Sequence, residues 1–124
     1  MFNDAEIIRR YTRAQAIADG VLIDVSNTAA EAGIRYRTAL TSAVWENYVR
    51  VPEGVEAQDE QGRLWDIVWL LACAAKRSNG GDTVFFYLHV KNDAQKAKRY
   101  LLKAVCGPDD DGSPCITVML PDED

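Results

Sequence analysis

The chain is poor in the residues that most often carry catalysis or bind metals. It has one histidine, His89. A catalytic histidine pair or a His-rich metal site is therefore excluded within a single chain. Its three cysteines are Cys73, Cys106 and Cys115. They show no C-x-x-C spacing, and an odd count does not describe the disulfide framework of a secreted domain. No phosphate-binding G-x-x-x-x-G-K-[ST], no dinucleotide-binding G-x-G-x-x-G and no nucleophile-elbow G-x-S-x-G occurs. The longest apolar stretch surrounds Trp65 to Ala75, well short of the ~18–20 residues that cross a bilayer. Met1 to Arg10, MFNDAEIIRR, has no positive segment followed by an apolar run, so no signal peptide is expected. Basic residues are also in the minority: 14 Lys and Arg against 19 Asp and Glu, a net charge of -5. Phosphate binding rests on clustered Lys and Arg, so direct nucleic-acid binding is not expected, nor is an anionic membrane. These absences lead to the expectation of a cytoplasmic protein with reduced thiols, no metal and no cofactor.

What is present suits an ordinary globular domain. The 124 residues are 48% hydrophobic and 27% charged, which is enough for one core without staples. The expectation is a single domain spanning 1–124. Asn3 with Glu6 offers a capping box for a short helix from Asp4 to about Arg10. Thr12 with Gln15 repeats the signature, and Gly20 fits the end of that helix. Val21 to Val25 reads as a short or edge strand. Ser26 or Asn27 is positioned to cap a helix through Ala32, closed by Gly33. Thr41 or Ser42 starts another, stopped near Pro52.

The strongest periodic signal runs from Leu64 to Ala75, where eleven of twelve residues are apolar and Asp66 is the exception. Leu64, Ile67, Val68, Leu71, Ala74 and Ala75 share one helical face. The spacing predicts a helix from about Gly62 to Arg77, buried on most sides. After Gly81 the period changes. Thr83 to Val90, Arg99 to Cys106 and Cys115 to Leu120 read as three strands with turn-rich breaks. Short connections favour an antiparallel meander. The fold class is therefore α+β: short N-terminal helices and one long buried helix packed on a C-terminal antiparallel β-meander.

Several residues invite a functional reading beside a plain one. Asp109, Asp110 and Asp111 with Gly112 form an acidic turn, which reads as a cation site, though without the alternating ligands of an EF-hand loop, as an acidic partner contact, or as a plain polar hairpin. Asp122 to Asp124 end the chain, and with the turn they suggest a mimic of nucleic-acid phosphates. The topology instead suggests partial neutralisation, the turn by Lys76 and Arg77, the tail by the loop from Lys91 to Arg99. Cys106 and Cys115 flank one hairpin loop and could face each other across the ladder, although packing is the simpler role. Cys73 reads as core. His89 shares a strand face with Phe85 and Tyr87 without an adjacent nucleophile. Asp66, the one charge in the apolar helix, reads as a buried carboxylate needing a partner. It fixes helix position, or it serves a small enzyme together with Arg13 or Arg63.

Tyr11-Thr12-Arg13-Ala14-Gln15-Ala16, Asp19-Gly20-Val21-Leu22, Gly62-Arg63-Leu64-Trp65-Asp66, Lys103-Ala104-Val105-Cys106-Gly107-Pro108 and Met119-Leu120-Pro121 together carry a resemblance. The sequence resembles a family of short, uncharacterised bacterial proteins found on chromosomes, plasmids and phage-like elements. The likeness runs over nearly the whole chain, as for a complete member. It brings no catalytic residues. It implies a mobile-element setting, where small acidic proteins often act as accessory factors or as inhibitors of host defence, anti-CRISPR proteins among them. The resulting expectation is a non-enzymatic protein that binds a protein partner, such as a basic nucleic-acid-handling complex. Tyr11, Tyr36, Trp45 and Tyr48 are its candidate anchors and Asp109, Asp110 and Asp111 its acidic contact. The alternatives are a plasmid-maintenance or transfer factor acting by self-association, and the small enzyme built on Asp66.

Overall fold

A computed structural model describes residues 11–93 and 96–124. The helix expected from Asp4 to Arg10 lies outside the described residues. Thr12 caps the first described helix, α1 (Arg13–Ala18), through the reciprocal capping box with Gln15. Gly20 follows it at φ 77, a left-handed value that costs glycine nothing and so ends the helix cheaply. β1 (Leu22–Asp24) leads to α2 (Ser26–Glu31), β2 (Arg37–Thr41), α3 (Ser42–Val44) and a π-helical turn, Trp45–Val49. In that turn the amide of Arg50 reaches back five residues to the Trp45 carbonyl at 2.9 Å. α4 (Glu60–Lys76) is the long helix, capped by Asp59. β3 (Thr83–Val90), β4 (Lys98–Pro108) and β5 (Pro114–Met119) complete the chain.

The expected meander is present, and it belongs to a larger sheet. The strand order is β1-β2-β5-β4-β3, with β2 parallel to β5 and the other neighbours antiparallel. β2 is the strand that the sequence pattern missed. It reads RTALT and buries three consecutive residues, Thr38, Ala39 and Leu40. A central strand covered on both faces loses the alternation that reveals strands. Ser26 also departs from expectation. It opens α2 with no side-chain cap, because its hydroxyl bonds the Asp24 carboxylate and accepts the Thr38 amide.

The two faces of the sheet differ. The inner face carries Leu40, Val118, Leu102, Phe86 and Leu88, and meets Leu64, Ile67, Val68 and Leu71 of α4 in one core. α4 packs chiefly on β3. The outer face carries Ala39, Cys115, Met119, Lys103, Tyr87 and Phe85 in register across the strands. Over β2 and β5 this face is closed: Ala39 is 1% exposed and Met119 6%. Over β3 it is open: Phe85 is 56% exposed and Tyr87 49%. Among the described residues, no helix is long and apolar enough to cross a membrane.

Candidate functional site

Two clasps close one half of the outer face. In the first, Arg13 of α1 donates to Thr117 Oγ1 at 2.7 Å and to the Ile116 carbonyl at 2.9 Å. Asp110 then accepts from the backbone amides of Arg13 and Ala14 at 2.8 and 3.0 Å. Its carboxylate thus answers two of the amides that a helix start leaves without partners. In the second, the C-terminal tail folds onto the sheet. Glu123 accepts from Thr41 Oγ1 at 2.8 Å and from the Leu120 amide at 2.8 Å, while Lys103 Nζ donates to the Glu123 carbonyl at 2.5 Å.

The acidic turn is therefore already engaged within the chain. Asp109 pairs with Arg37 at 3.0 Å, and Asp111 lies 3.8 Å from the same guanidinium. Ser113 donates its hydroxyl and its amide to Asp111. The Ser113 hydroxyl above all, with help from its amide and from Arg37, holds the Asp111 carboxyl below its ordinary pKa. The neutralising partners are Arg37 and the start of α1 rather than Lys76 and Arg77, because β5 returns the turn beside β2. The tail likewise meets Lys103, part-way along β4, rather than the loop before that strand.

The four candidate anchors occupy different parts of the fold. Tyr11 is exposed and donates to Asp19 at 2.7 Å. That hydrogen bond, more than burial, raises its pKa. Tyr36 is exposed and lines an apolar cleft of about 360 Å³ with Leu71, Val84, Ala104 and Ile116. Trp45 and Tyr48, on the π-helical turn, pack against the core. The Tyr48 ring lies 5.0 Å from Tyr100, and burial raises its pKa.

The expected roles of Asp66 and Arg63 are exchanged. Asp66 is exposed, whereas Arg63 is buried. Its guanidinium donates to the carbonyls of Lys91 at 2.5 Å, Arg50 at 3.1 Å and Tyr48 at 3.4 Å. It also donates to Gln58 Oε1 at 2.8 Å and Asn92 Oδ1 at 2.9 Å. Burial lowers its pKa, but a guanidinium stays charged in proteins. Arg63 thus ties α4 to the π-helical turn and to the loop after β3. Asp66 instead lines an open depression of about 440 Å³ with Trp65, His89 and Lys91. The cysteines are also displaced from expectation. Cys106 pairs with Ile116 and Cys115 with Gly107, so the two lie on opposite faces of the sheet rather than facing each other. All three thiols are free, and Cys73 is only partly buried.

Among the described residues, what remains open is the β3–β4 half of the outer face. Its register sets Phe85 opposite Lys103, Tyr87 opposite Leu101 and His89 opposite Arg99. The Arg99 guanidinium lies 4.2 Å from the centre of the Tyr87 ring, a distance at which a cation is attracted by the ring. Sequence reasoning noted the shared face of Phe85, Tyr87 and His89. It did not see that none of the described residues covers this face, because α1 and the tail attach by contacts about 80 to 100 residues apart in the chain.

The chain belongs to a family whose model matches residues 1–124 and is described as a "Family of unknown function (DUF6573)". No curated protein matches the chain, and no solved structure does.

Proposed function

We propose that this chain is a non-enzymatic binding protein that acts through the open β3–β4 half of its outer sheet face. One observation carries the reading. The same face that buries Ala39 and Met119 leaves Phe85 56% and Tyr87 49% exposed, side by side on one strand. Large rings held on a rigid sheet are costly to leave in water, and they are enriched where proteins bind. The bacterial, mobile-element setting implied by the resemblance would make such a protein an accessory factor or an inhibitor of host defence. An inhibitor drawn to a basic channel by the Asp109–Asp111 turn is the less favoured form of this idea, since Arg37, Ser113 and α1 already hold those carboxylates.

The test compares tagged wild-type protein with a Phe85→Ser/Tyr87→Ser variant in affinity capture from its native host. Both rings are surface residues away from the core, so the variant is expected to keep the wild-type fold and to change stability by no more than about 1 kcal/mol. Whatever the wild type retains should be lost. Retention of the same molecules by the variant would refute the reading.

A further inference from the structure

We infer that the ligand of the open sheet face is a single-stranded polynucleotide, with bases stacking on Phe85 and Tyr87 and phosphates held by the basic hairpin around them. This rests on the reading of the β3–β4 face as the docking surface. The first support is charge. From Thr83 to Gly107 the chain carries five basic residues, Lys91, Lys96, Lys98, Arg99 and Lys103, against one acid, Asp93. That is a local charge of +4 in a chain whose total is -5. The remaining acids lie outside this segment: the Asp109–Asp111 turn is engaged by Arg37 and α1, the tail meets the face at Lys103, and Asp59 and Asp66 border the depression that Lys91 lines.

The second support is the kind and spacing of the rings. Phe85 and Tyr87 are two residues apart on an extended strand, so their rings stand about 7 Å apart. That is about twice the 3.4 Å step between stacked bases in a duplex strand. Neighbouring bases can meet both rings only when they are pulled apart, as they are in a splayed single strand. Arg99 over Tyr87 adds a guanidinium plane on which a base can also stack. Lys91 and Lys96 follow in the loop at the His89 end of this strand pair, where a backbone leaving the rings would pass, whereas Lys98 stands opposite inward-facing Val90 and pairs with Asp93 at 3.9 Å. Lys103 is held by the tail carbonyl, so the phosphate contacts fall to Arg99, Lys91 and Lys96.

A second copy pairing along the free edge of β3 is the weaker occupant. α4 packs directly over that edge strand. Paired strands lie about 4.8 Å apart, whereas packed helices need about 8–10 Å between axes, so α4 would meet its own copy.

The experiment is fluorescence anisotropy with the full chain and labelled oligothymidylate or oligouridylate of about ten nucleotides, beside a duplex of equal length and heparin. The expected result is saturable binding of one or both single strands, stronger than of the duplex. Phe85→Ala and Tyr87→Ala should each weaken it roughly 5- to 150-fold. Raising salt from about 50 to about 200 mM should weaken it roughly ten-fold, as for two to three phosphate contacts. Preference for thymidylate or uridylate distinguishes DNA from RNA. The inference is overturned by no binding of either single strand. It is equally overturned by binding that heparin and duplex share and that the ring variants leave unchanged. If it falls while Phe85→Ser/Tyr87→Ser still loses a captured protein, the docking surface stands and its partner is a protein. If the capture is unchanged too, the reading of the face falls with it.

Discussion

Replacing Arg63 tests the account of how this fold is held. The guanidinium is the buried charge of α4, and five acceptors from three segments converge on it. In Arg63→Met the side-chain amides of Gln58 and Asn92 can turn to water. The carbonyls of Tyr48, Arg50 and Lys91 cannot move so freely, and each unsatisfied buried acceptor costs about 1–3 kcal/mol. Allowing for partial hydration, the expected loss is about 3–5 kcal/mol, a large share of the roughly 5–15 kcal/mol that stabilises a domain. Thermal melting should move down by roughly 10–20 °C. Arg63→Lys keeps the charge but not the planar fork, so it should recover only part of the loss. Asp66→Asn, on the exposed side of the same helix, should stay within about 0.5 kcal/mol. Urea and thermal unfolding of the three variants decide the matter. A loss below about 1 kcal/mol in Arg63→Met would show that the acceptors hydrate without cost and that Arg63 does not tie the segments together.

Four further outcomes are expected. Asp110→Ala should cost about 1–2 kcal/mol by uncapping α1, and exchange of the Arg13 and Ala14 amides should accelerate. Asp111, with its pKa held below the ordinary 3.8, should contribute stability in full above that value and lose it as pH falls through the lower folded value. The Ser113 amide shift in an NMR titration would report it, and a midpoint at or above 3.8 would refute the assignment. All three cysteines should alkylate after unfolding without reductant, since Cys106 and Cys115 lie on opposite faces. Trp65 and Trp69 stack with centroids 6.0 Å apart, so Trp69→Ala should remove an aromatic circular-dichroism band. Trp69 is half exposed, so the stability cost should be no more than about 1 kcal/mol.

Elements whose signal is local were legible in the sequence. α4 announced itself by period, the final hairpins by alternation and turn residues, and the start of α1 by Thr12 with Gln15. β2 was not legible, because burial on both faces removes the period on which strand reading relies. Asp66 misled for another reason. The periodic face of Leu64, Ile67, Val68, Leu71 and Ala74 is indeed the buried one, but the apolar residues on the second side, Trp65 and Trp69, made that side read as buried too, and it is exposed together with Asp66. The stretch from Arg63 to Leu64 turned out to mark the buried side, and only the meeting of α4 with the π-helical turn and with the loop after β3 supplies the carbonyls that make a buried arginine tolerable. The acidic turn was read correctly as a turn. Its partners, Arg37 and Arg13, stand 72 and 97 residues away in the chain, beyond the reach of pattern.

The open face follows from where the two covers are anchored. α1 is held by Asp110 and by Thr117, and the tail is held by Thr41. These anchors all belong to β2, to β5 or to the turn before β5. Lys103 on β4 is the furthest point that either clasp reaches. Among the described residues β3 is joined to the sheet through β4 alone, and α4 packs on its inner side. Phe85 and Tyr87 therefore lie one strand beyond the last anchor. Had these positions been exposed merely because no described residue reaches them, polar residues would hold the strand as well, as they do on most half-solvated sheets. Instead the sequence sets two large rings there and places cations around them. A Phe85→Thr/Tyr87→Thr variant separates the two accounts, since threonine keeps the strand propensity and removes the rings. If the rings serve binding, the variant should fold with unchanged or slightly raised solubility and lose its ligand. If they serve packing, its unfolding midpoint should fall by several degrees while capture of partners persists.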